Sequence, residues 1–177
     1  MVPDWIVVGA GTGGTAATIG RHCRHRGLPT RLCVADVEHS AFFAGYRDRD
    51  PAALCTRPSR IEGVGRPRVE PSFLPGTIDR MMKLPDAVSI AGMRIASEML
   101  GRPVGPSTGS NFVAAAMLAL EMTAAGQCGS IATLICDHGA RYADCHHDRH
   151  WLATQGLAES VDAAEMALRT MLLKDAE

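Results

Sequence analysis

Lysine is almost missing from these 177 residues, which carry Lys83 and Lys174 and no others. An excess of charge is missing too. The formal net charge is -1 with 21% charged residues, which excludes bulk electrostatic attraction to nucleic acid or an anionic membrane. The short basic run Arg21-His22-Cys23-Arg24-His25-Arg26 falls on the second half of a helical pattern, where cations complement the negative end of the dipole. No CxxC pair occurs among the six cysteines at 23, 33, 55, 128, 136 and 145, so the pattern reads as reduced and intracellular. There is no basic leader region, and the opening apolar run is short and broken by glycine, which excludes a signal peptide or a membrane span from that run. The expectation is a soluble, cytoplasmic protein. Internal repeats and low-complexity tracts are also missing. What remains is 18.8 kDa of chain, 46% hydrophobic, the size of one domain with a substantial core.

The stretch around which the rest is organised is Trp5-Ile6-Val7-Val8-Gly9-Ala10-Gly11-Thr12-Gly13-Gly14-Thr15, an apolar strand running through a glycine turn into a helical pattern. Glycines there let the backbone approach an anion closely while the first free N–H groups of the helix point at it. The spacing Gly9-x-Gly11-x-x-Gly14 also fits a dinucleotide fingerprint, with Asp36 at the end of the second strand where a ribose-binding acid would stand. Three readings stay open on this motif alone: a dinucleotide, another phosphorylated cofactor, or a glycine turn that merely permits tight packing.

In chain order, a strand is expected at Trp5 to Val8, a helix at Gly14 to Arg26 closed by Gly27, and a second strand at Thr30 to Ala35. Asp36 to Pro75 is a long glycine- and proline-rich stretch of weak periodicity, too long to be a free loop in a compact domain. Ala87 to Ile90 suits a short strand and Gly92 to Leu100 a helix. Gly105-Pro106-Ser107-Thr108-Gly109-Ser110-Asn111 then forms a second glycine and hydroxyl turn ahead of a helix from Phe112 to Ala125. Ser107, Thr108, Ser110 and Asn111 suit contact with a polar heterocycle or simple helix capping. Ser130 to Cys136 reads as a buried strand, His138 to Gly156 is polar and ambiguous, and Ser160 to Leu173 is a final helix capped by Ser160.

Four motifs in order, Gly11-Thr12-Gly13-Gly14-Thr15, Ile61-Glu62-Gly63-Val64-Gly65, Gly105-Pro106-Ser107-Thr108-Gly109 and Gly139-Ala140-Arg141-Tyr142, resemble the C-terminal half of the cysteine synthase and cystathionine β-synthase family. These are fold-type II enzymes that use pyridoxal phosphate. The resemblance runs from Trp5 to about Gly156. It implies an α/β fold, a three-layer αβα sandwich on a mostly parallel sheet, related to the tryptophan synthase β-subunit. It implies that Gly11, Thr12, Gly13, Gly14 and Thr15 hold the cofactor phosphate and that Gly63, Val64 and Gly65 line the cofactor and substrate side. Ser107 matches the hydroxyl that bonds the pyridine nitrogen, a neutral partner that leaves that nitrogen largely unprotonated. Asp137, with Arg141 and Tyr142, closes the ring pocket, although Cys136-Asp137-His138 departs from the proline and serine commonest there. Asp36 and Glu38 then become ordinary strand-end residues.

The family's Schiff-base lysine, and the turn that grips the substrate carboxylate, belong to an N-terminal half that has no match here. Lys83 lies outside every family motif and Lys174 lies in the tail. The expectation is therefore a single domain over 1–177 that corresponds to the cofactor-phosphate-binding part of such an enzyme and is inactive alone. Paired with a complementary N-terminal half, it would replace the β-substituent of an activated serine with a sulfur nucleophile, a step of cysteine biosynthesis; a homodimer would instead cover apolar surface left exposed in the isolated chain. The alternative is a non-catalytic remnant or structural partner subunit. A metal-binding module rests on Cys136, Asp137, His138, Cys145, His146, His147, Asp148 and His150, with His146 and His150 sharing a face if that region is helical. A last expectation is an exposed apolar face along 36–75, where Phe42, Phe43, Tyr46, Leu54, Ile61, Phe73 and Leu74 lie and several of them lack a covering layer; the alternative is a loop that folds over its own sheet and makes an autonomous monomer.

Overall fold

The computed structural model describes residues 2–174, the side chain of Lys174 excepted, so the expectation for that lysine lies outside the described residues. Four short apolar runs become strands: β1 (Trp5–Gly9), β2 (Arg31–Val37), β3 (Arg80–Leu84) and β4 (Ile131–Thr133). They form one sheet in the order β3-β2-β1-β4, and all three pairings are parallel. β2 is buried from Leu32 to Val37, which explains why its sequence runs apolar instead of alternating.

Six helices connect and cover the strands: α1 (Gly14–His25), α2 (Phe42–Arg47), α3 (Asp86–Leu100), α4 (Pro106–Ala124), α5 (Arg149–Thr154) and α6 (Ala158–Lys174). Successive strand residues feed opposite cores. Val7, Cys33, Ala35 and Met82 face α3, α4 and α6, while Val8, Leu32, Val34 and Met81 face α1 and α2. The result is the expected three-layer αβα sandwich on a parallel sheet. After β1 the chain moves outward through β2 and β3, then returns to the other side of β1 as β4. That reversal opens a crevice beyond the carboxyl ends of β1 and β4.

Several local expectations are corrected. Ala87 to Ile90 is the first part of α3, and the strand lies upstream at β3. Ser89 through Ala96 is buried apart from Arg94, so this helix lacks the polar face that marks a helical period. The turn at Gly105 to Asn111 is largely helix, because Pro106 occupies the first helical position of α4, where its missing N–H costs nothing. Ser160 does not cap α6; its hydroxyl lies inside the helix and donates to the Leu157 carbonyl at 2.9 Å. β4 is not buried but a three-residue edge, with Ala132 and Thr133 exposed.

The long 36–75 stretch folds over its own sheet. Phe42 stacks on Phe73 with ring centroids 4.3 Å apart, and both are buried along with Ile61. Phe43 and Tyr46 are half-buried against the same core. Of the seven apolar residues along the stretch, several of which were expected to lack a covering layer, Leu54 and Leu74 are open to solvent. Exposed apolar side chains appear instead at Met99, Leu100, Leu134 and Ile135, beside β4.

Asp36 is fully buried and turned into its own layer, where its Oδ2 accepts from the Phe43 N–H at 3.0 Å. It starts α2 and has no path to a ribose, which removes the dinucleotide reading of this acid. Glu38 likewise receives the Asp86 N–H at 3.0 Å and tethers the start of α3. Both are structural strand-end residues.

Two predictions follow from these contacts. Phe42→Ala removes half of the stacked pair and should lower the unfolding free energy by about 3–5 kcal/mol in urea titration. Burial lifts the Asp36 carboxyl to about 6, so the folded state binds its proton more tightly than the unfolded chain. This group's stabilising contribution is present below pH 4 and is lost as pH rises through 6. Asp36→Asn keeps an acceptor for Phe43 and should gain stability relative to the parent on going from pH 4 to 8. An unchanged difference over that range would contradict the burial argument.

Candidate functional site

The crevice at the reversal point is a cleft of ≈ 460 Å³, lined by the turn Gly9 to Thr15, by Glu62 to Val64, by Ser107 and Asn111 of α4, and by the segment after β4. Its floor is the start of α1. Gly13 occupies the N-cap position with φ +87°, offers no side chain as a cap, and no acidic residue stands in the first turn. A side chain at Gly13 would be strained by that φ and would strike Phe73, whose Cα lies 2.7 Å from the place of a Cβ. Gly14 has no protein atom nearer than the Thr12 hydroxyl, at 3.6 Å from that place. The first N–H groups of α1 therefore face open space, the arrangement that accepts a phosphate.

Two further segments hold this turn. The Ser72 hydroxyl donates to the Thr12 carbonyl at 2.7 Å, and the Gly65 N–H donates to the Ala10 carbonyl at 2.9 Å. Of the three expected residues in the second motif, Gly63 and Val64 reach the cleft. Gly65 does not: it packs against Val37 and Ser40 and faces an adjoining cavity, so its contribution is the hydrogen bond to Ala10.

The opposite wall is built by α4 and the chain beyond β4. The Thr108 hydroxyl accepts the Cys136 N–H at 3.0 Å, and the Asn111 amide donates to the Leu134 carbonyl at 3.1 Å. Ser107 points into the cleft one helical turn from Asn111, whereas Ser110 donates to the Pro106 carbonyl. Beside Ser107 lies Asp137, which receives the Tyr142 hydroxyl at 2.6 Å and the Ser107 hydroxyl at 3.5 Å. Burial, and then the bond to Asp137, push the Tyr142 phenol well above its ordinary range. The rim carries an exposed Arg141 to Glu62 ion pair at 3.2 Å.

Nine of the ten expected binding residues thus come together, Gly11, Thr12, Gly13, Gly14, Thr15, Gly63, Val64, Ser107 and Asp137, joined by Arg141 and Tyr142. Asn111, read from the sequence as suited to a polar heterocycle or to capping, lines the cleft, and so do Glu62 and Cys136, which no expectation assigned to the cofactor. The helix that begins at Pro106 puts Asn111 at i, i+4 from Ser107, which is why both reach the cleft while Thr108 and Ser110 do not.

The rival metal cluster does not assemble among the described residues. His146 Nε2 donates to the Arg60 carbonyl at 2.8 Å, His147 Nε2 donates to the Val104 carbonyl at 3.0 Å, and Asp148 caps α5. His146 precedes the first residue of α5, so it shares no helix face with His150. Among the described residues the metal-capable grouping is Glu38, His39 and Asp86. There Glu38 receives the Asp86 N–H and Asp86 receives the Arg60 N–H, both from the backbone.

The family described as pyridoxal-phosphate dependent enzyme matches residues 1–137. An L-cysteine desulfhydrase of Mycobacterium tuberculosis is 55% identical over 164 residues, which cover 93% of this chain and 45% of that protein. Cysteine synthase 2 of Schizosaccharomyces pombe is 28% identical over 177 residues, covering 91% and 43%. Among solved structures, an O-acetylserine dependent cystathionine beta-synthase from Helicobacter pylori superposes with a TM-score of 0.65 at 28% identity, covering 81% of this chain and 43% of that one. The chain spans less than half the length of each of these relatives.

The two glycines at the start of α1 should respond differently to substitution. Gly13→Ala is expected to destabilise the fold by about 1–3 kcal/mol through backbone strain. A Cβ at Gly14 is in ordinary contact with the Thr12 hydroxyl alone, so Gly14→Asp should leave the melting temperature unchanged or higher, while its carboxylate fills the phosphate position. Calorimetry with pyridoxal phosphate should then show affinity reduced at least about tenfold, with pyridoxal little affected. Equal loss for both ligands would place the phosphate elsewhere.

Proposed function

This chain belongs to the family of pyridoxal-phosphate-dependent enzymes, and from that premise we propose that it forms the cofactor-holding half of an enzyme that makes or breaks a Cβ–S bond in a cysteine-type amino acid. The observation that carries this reading is the pairing, across one cleft, of an uncapped helix start with a hydroxyl on a second helix start. The residues present fit the cofactor: a dianion suits the free N–H groups of α1, and a planar heterocycle suits the space beside Ser107. When bound, pyridoxal phosphate supplies an electron sink that acidifies the α-proton of an attached amino acid.

The protein's own contributions are binding and orientation. Backbone N–H groups of Gly14 and Thr15, with the hydroxyls of Thr12 and Thr15, would hold the phosphate. Ser107 would fix the ring nitrogen, and the turn at Gly63 and Val64 would border the substrate side. Arg141 and Glu62 stand at the mouth, where a zwitterionic amino acid enters. The relatives include proteins named for synthesis of cysteine and for its desulfurisation. Both reactions exchange or release the substituent on Cβ, so the shared chemistry is the substituent's departure and not the direction of metabolism.

No lysine among the described residues lines the cleft, and Lys83 is exposed on β3. We therefore assign the reacting amine, and the grip on the substrate carboxylate, to a complementary segment outside this chain. The rival reading of a non-catalytic partner subunit shares this absence and differs only in what happens on complementation.

Purified alone, the chain is expected to release no sulfide from L-cysteine and to form no cysteine from O-acetylserine and sulfide. Adding the N-terminal half of the 55% identical desulfhydrase should restore at least one of these turnovers in the same assay. Turnover by the chain alone that Lys83→Ala abolishes would overturn the assignment of the amine. Assembly with the added half without any turnover would favour the non-catalytic partner.

A further inference from the structure

We propose that the second cavity, which meets the cleft at the Gly63–Val64 turn, binds the carboxylate of a small aliphatic acid through Arg57 and Arg66. This cavity of ≈ 340 Å³ shares Glu62, Gly63 and Val64 with the cleft and is otherwise lined by different residues. The inference does not depend on what fills the cleft.

The chain from 55 to 67 forms a closed loop around this space. Leu54 and Arg68 make an antiparallel bridge at its neck, and the Cys55 N–H donates to the Pro67 carbonyl at 2.8 Å. Within the loop the Ser59 hydroxyl accepts the Ile61 N–H at 3.0 Å. The Ser40 hydroxyl accepts the Arg66 N–H at 3.4 Å, and the Ala41 N–H donates to the Arg66 carbonyl at 2.8 Å. Gly65 holds φ +78°, and a Cβ there would lie 2.6 Å from the Val37 side chain, so the turn packs its backbone directly on the end of β2. These contacts fix the loop at its neck and at its turn, and the cavity is a fixed feature of the fold.

The lining is positively charged. Arginine keeps its charge at every working pH, so the sign does not depend on a titration. Arg66 is half-buried, and its Nη1 donates to the Gly65 carbonyl at 3.0 Å, which orients the guanidinium while using one of its five N–H donors. Arg57 lines the same space, and among the described residues neither arginine has a carboxylate partner. Their neighbours do: Arg68 pairs with Glu70 at 3.3 Å and Arg141 with Glu62 at 3.2 Å. Glu62 is the one carboxylate among the lining residues, and that pair already engages it. Two guanidinium groups are left facing one small cavity without a counter-charge.

Charge alone would suit any small anion, and the rest of the lining narrows the choice. Ile61 and Val64 are buried in it, and Pro58 and Pro67 add further apolar surface. A carboxylate matches the planar fork of a guanidinium with two parallel N–H···O bonds. A short aliphatic body covers the apolar part and gains from leaving water. An inorganic anion gains the first of these and not the second. The volume lies at the small end of ligand sites, which favours an acid of a few carbons.

The test follows ¹H–¹⁵N spectra of the full chain titrated with sodium butyrate at a constant ionic strength of about 0.1 M. The expected result is a saturable shift of the Arg57, Gly63 and Arg66 backbone amides and of both arginine Nε–H signals, with a Kd below about 10 mM. Butyramide, which keeps the shape without the charge, should shift none of them. Arg57→Gln and Arg66→Gln should each weaken butyrate at least about fivefold, and Arg66→Lys should recover part of that loss. Arg68→Gln, which removes a cation outside the cavity, should leave the affinity unchanged and so separates the site from a general positive surface. Gly14→Asp, which closes the start of α1, should bind butyrate as the parent does and inorganic phosphate at least about fivefold more weakly than butyrate. No saturable shift in the loop, equal binding of butyramide, or an affinity unmoved by both glutamine variants would overturn the inference. Shifts centred on Gly13 to Thr15 that vanish in Gly14→Asp would place the acid in the cleft and overturn it as well. Phosphate binding as tight as butyrate would overturn the assignment of an aliphatic acid. Should Arg66→Gln fail to fold, Arg57→Gln decides alone: a weakened affinity supports the site and an unchanged one overturns it. Failure of the chain to bind pyridoxal phosphate would overturn the cofactor assignment and leave this site standing.

Discussion

The constraint on which the rest of this structure depends is a helix left open at its start. The first turn of any α-helix has four N–H groups without intrahelical partners, and a side-chain cap would stabilise it by about 0.5–2 kcal/mol. α1 forgoes that cap, since Gly13 has no side chain to offer. Much of the neighbouring architecture holds the open turn in place. Phe73 packs on Gly13, Ser72 reaches the Thr12 carbonyl, and the Gly65 N–H ties the second glycine turn to Ala10. The 36–75 stretch is therefore more than a connection between β2 and β3. Its fold over the sheet gives the phosphate turn a rigid backing, and its own core is anchored by the stacked Phe42 and Phe73.

Much of this was legible in the sequence, and the failures share a cause. β1, α1 and β2 were readable because each has a clean apolar run or period bounded by glycine or proline. The cleft residues were readable because the resemblance rested on four ordered motifs. Errors arose where burial on every side erased the helical period, as in α3, and where a proline that starts a helix was read as part of a turn, as at Pro106. α2 escaped notice because its six residues are too few for periodicity; it is held by Asp36 and by packing, neither of which has a local signature. The histidine-rich segment illustrates the opposite failure. Ligand-type residues close in sequence proved to be separate partners of the Arg60 and Val104 carbonyls, distant in the chain.

The cleft divides its chemistry unevenly. Binding groups for an anion and for a polar ring are present, and they come from two helix starts that the parallel sheet directs toward the same crevice. The polar groups on the α4 wall are also well connected. Thr108 and Asn111 position the chain at 134 to 136, and Tyr142 and Ser107 converge on Asp137. A nucleophilic amine is what the described wall lacks. Such a division is physically reasonable, because rigid backbone donors suit a permanently held phosphate, whereas a substrate must enter and leave from a side that can open.

The least covered part of the molecule adjoins that wall. β4 pairs over only three residues, and Leu134, Ile135, Met99 and Leu100 remain exposed beside it. Covering large apolar side chains is worth roughly 1.5–3 kcal/mol each, so a few of them amount to an appreciable part of a typical domain stability of about 5–15 kcal/mol. Leu134 belongs to the cleft as well as to this edge, and Cys136 and Asp137 follow within three residues. The geometry at Asp137 consequently depends on how firmly the edge is held. In the described residues β1 holds the strand itself by parallel pairing, and α4 holds the chain beyond it through the Asn111 bond to the Leu134 carbonyl and the Thr108 bond to the Cys136 N–H. The same helix that presents Ser107 therefore also fixes the strand end bearing its carboxylate partner, and a shift of α4 would move both together without separating them.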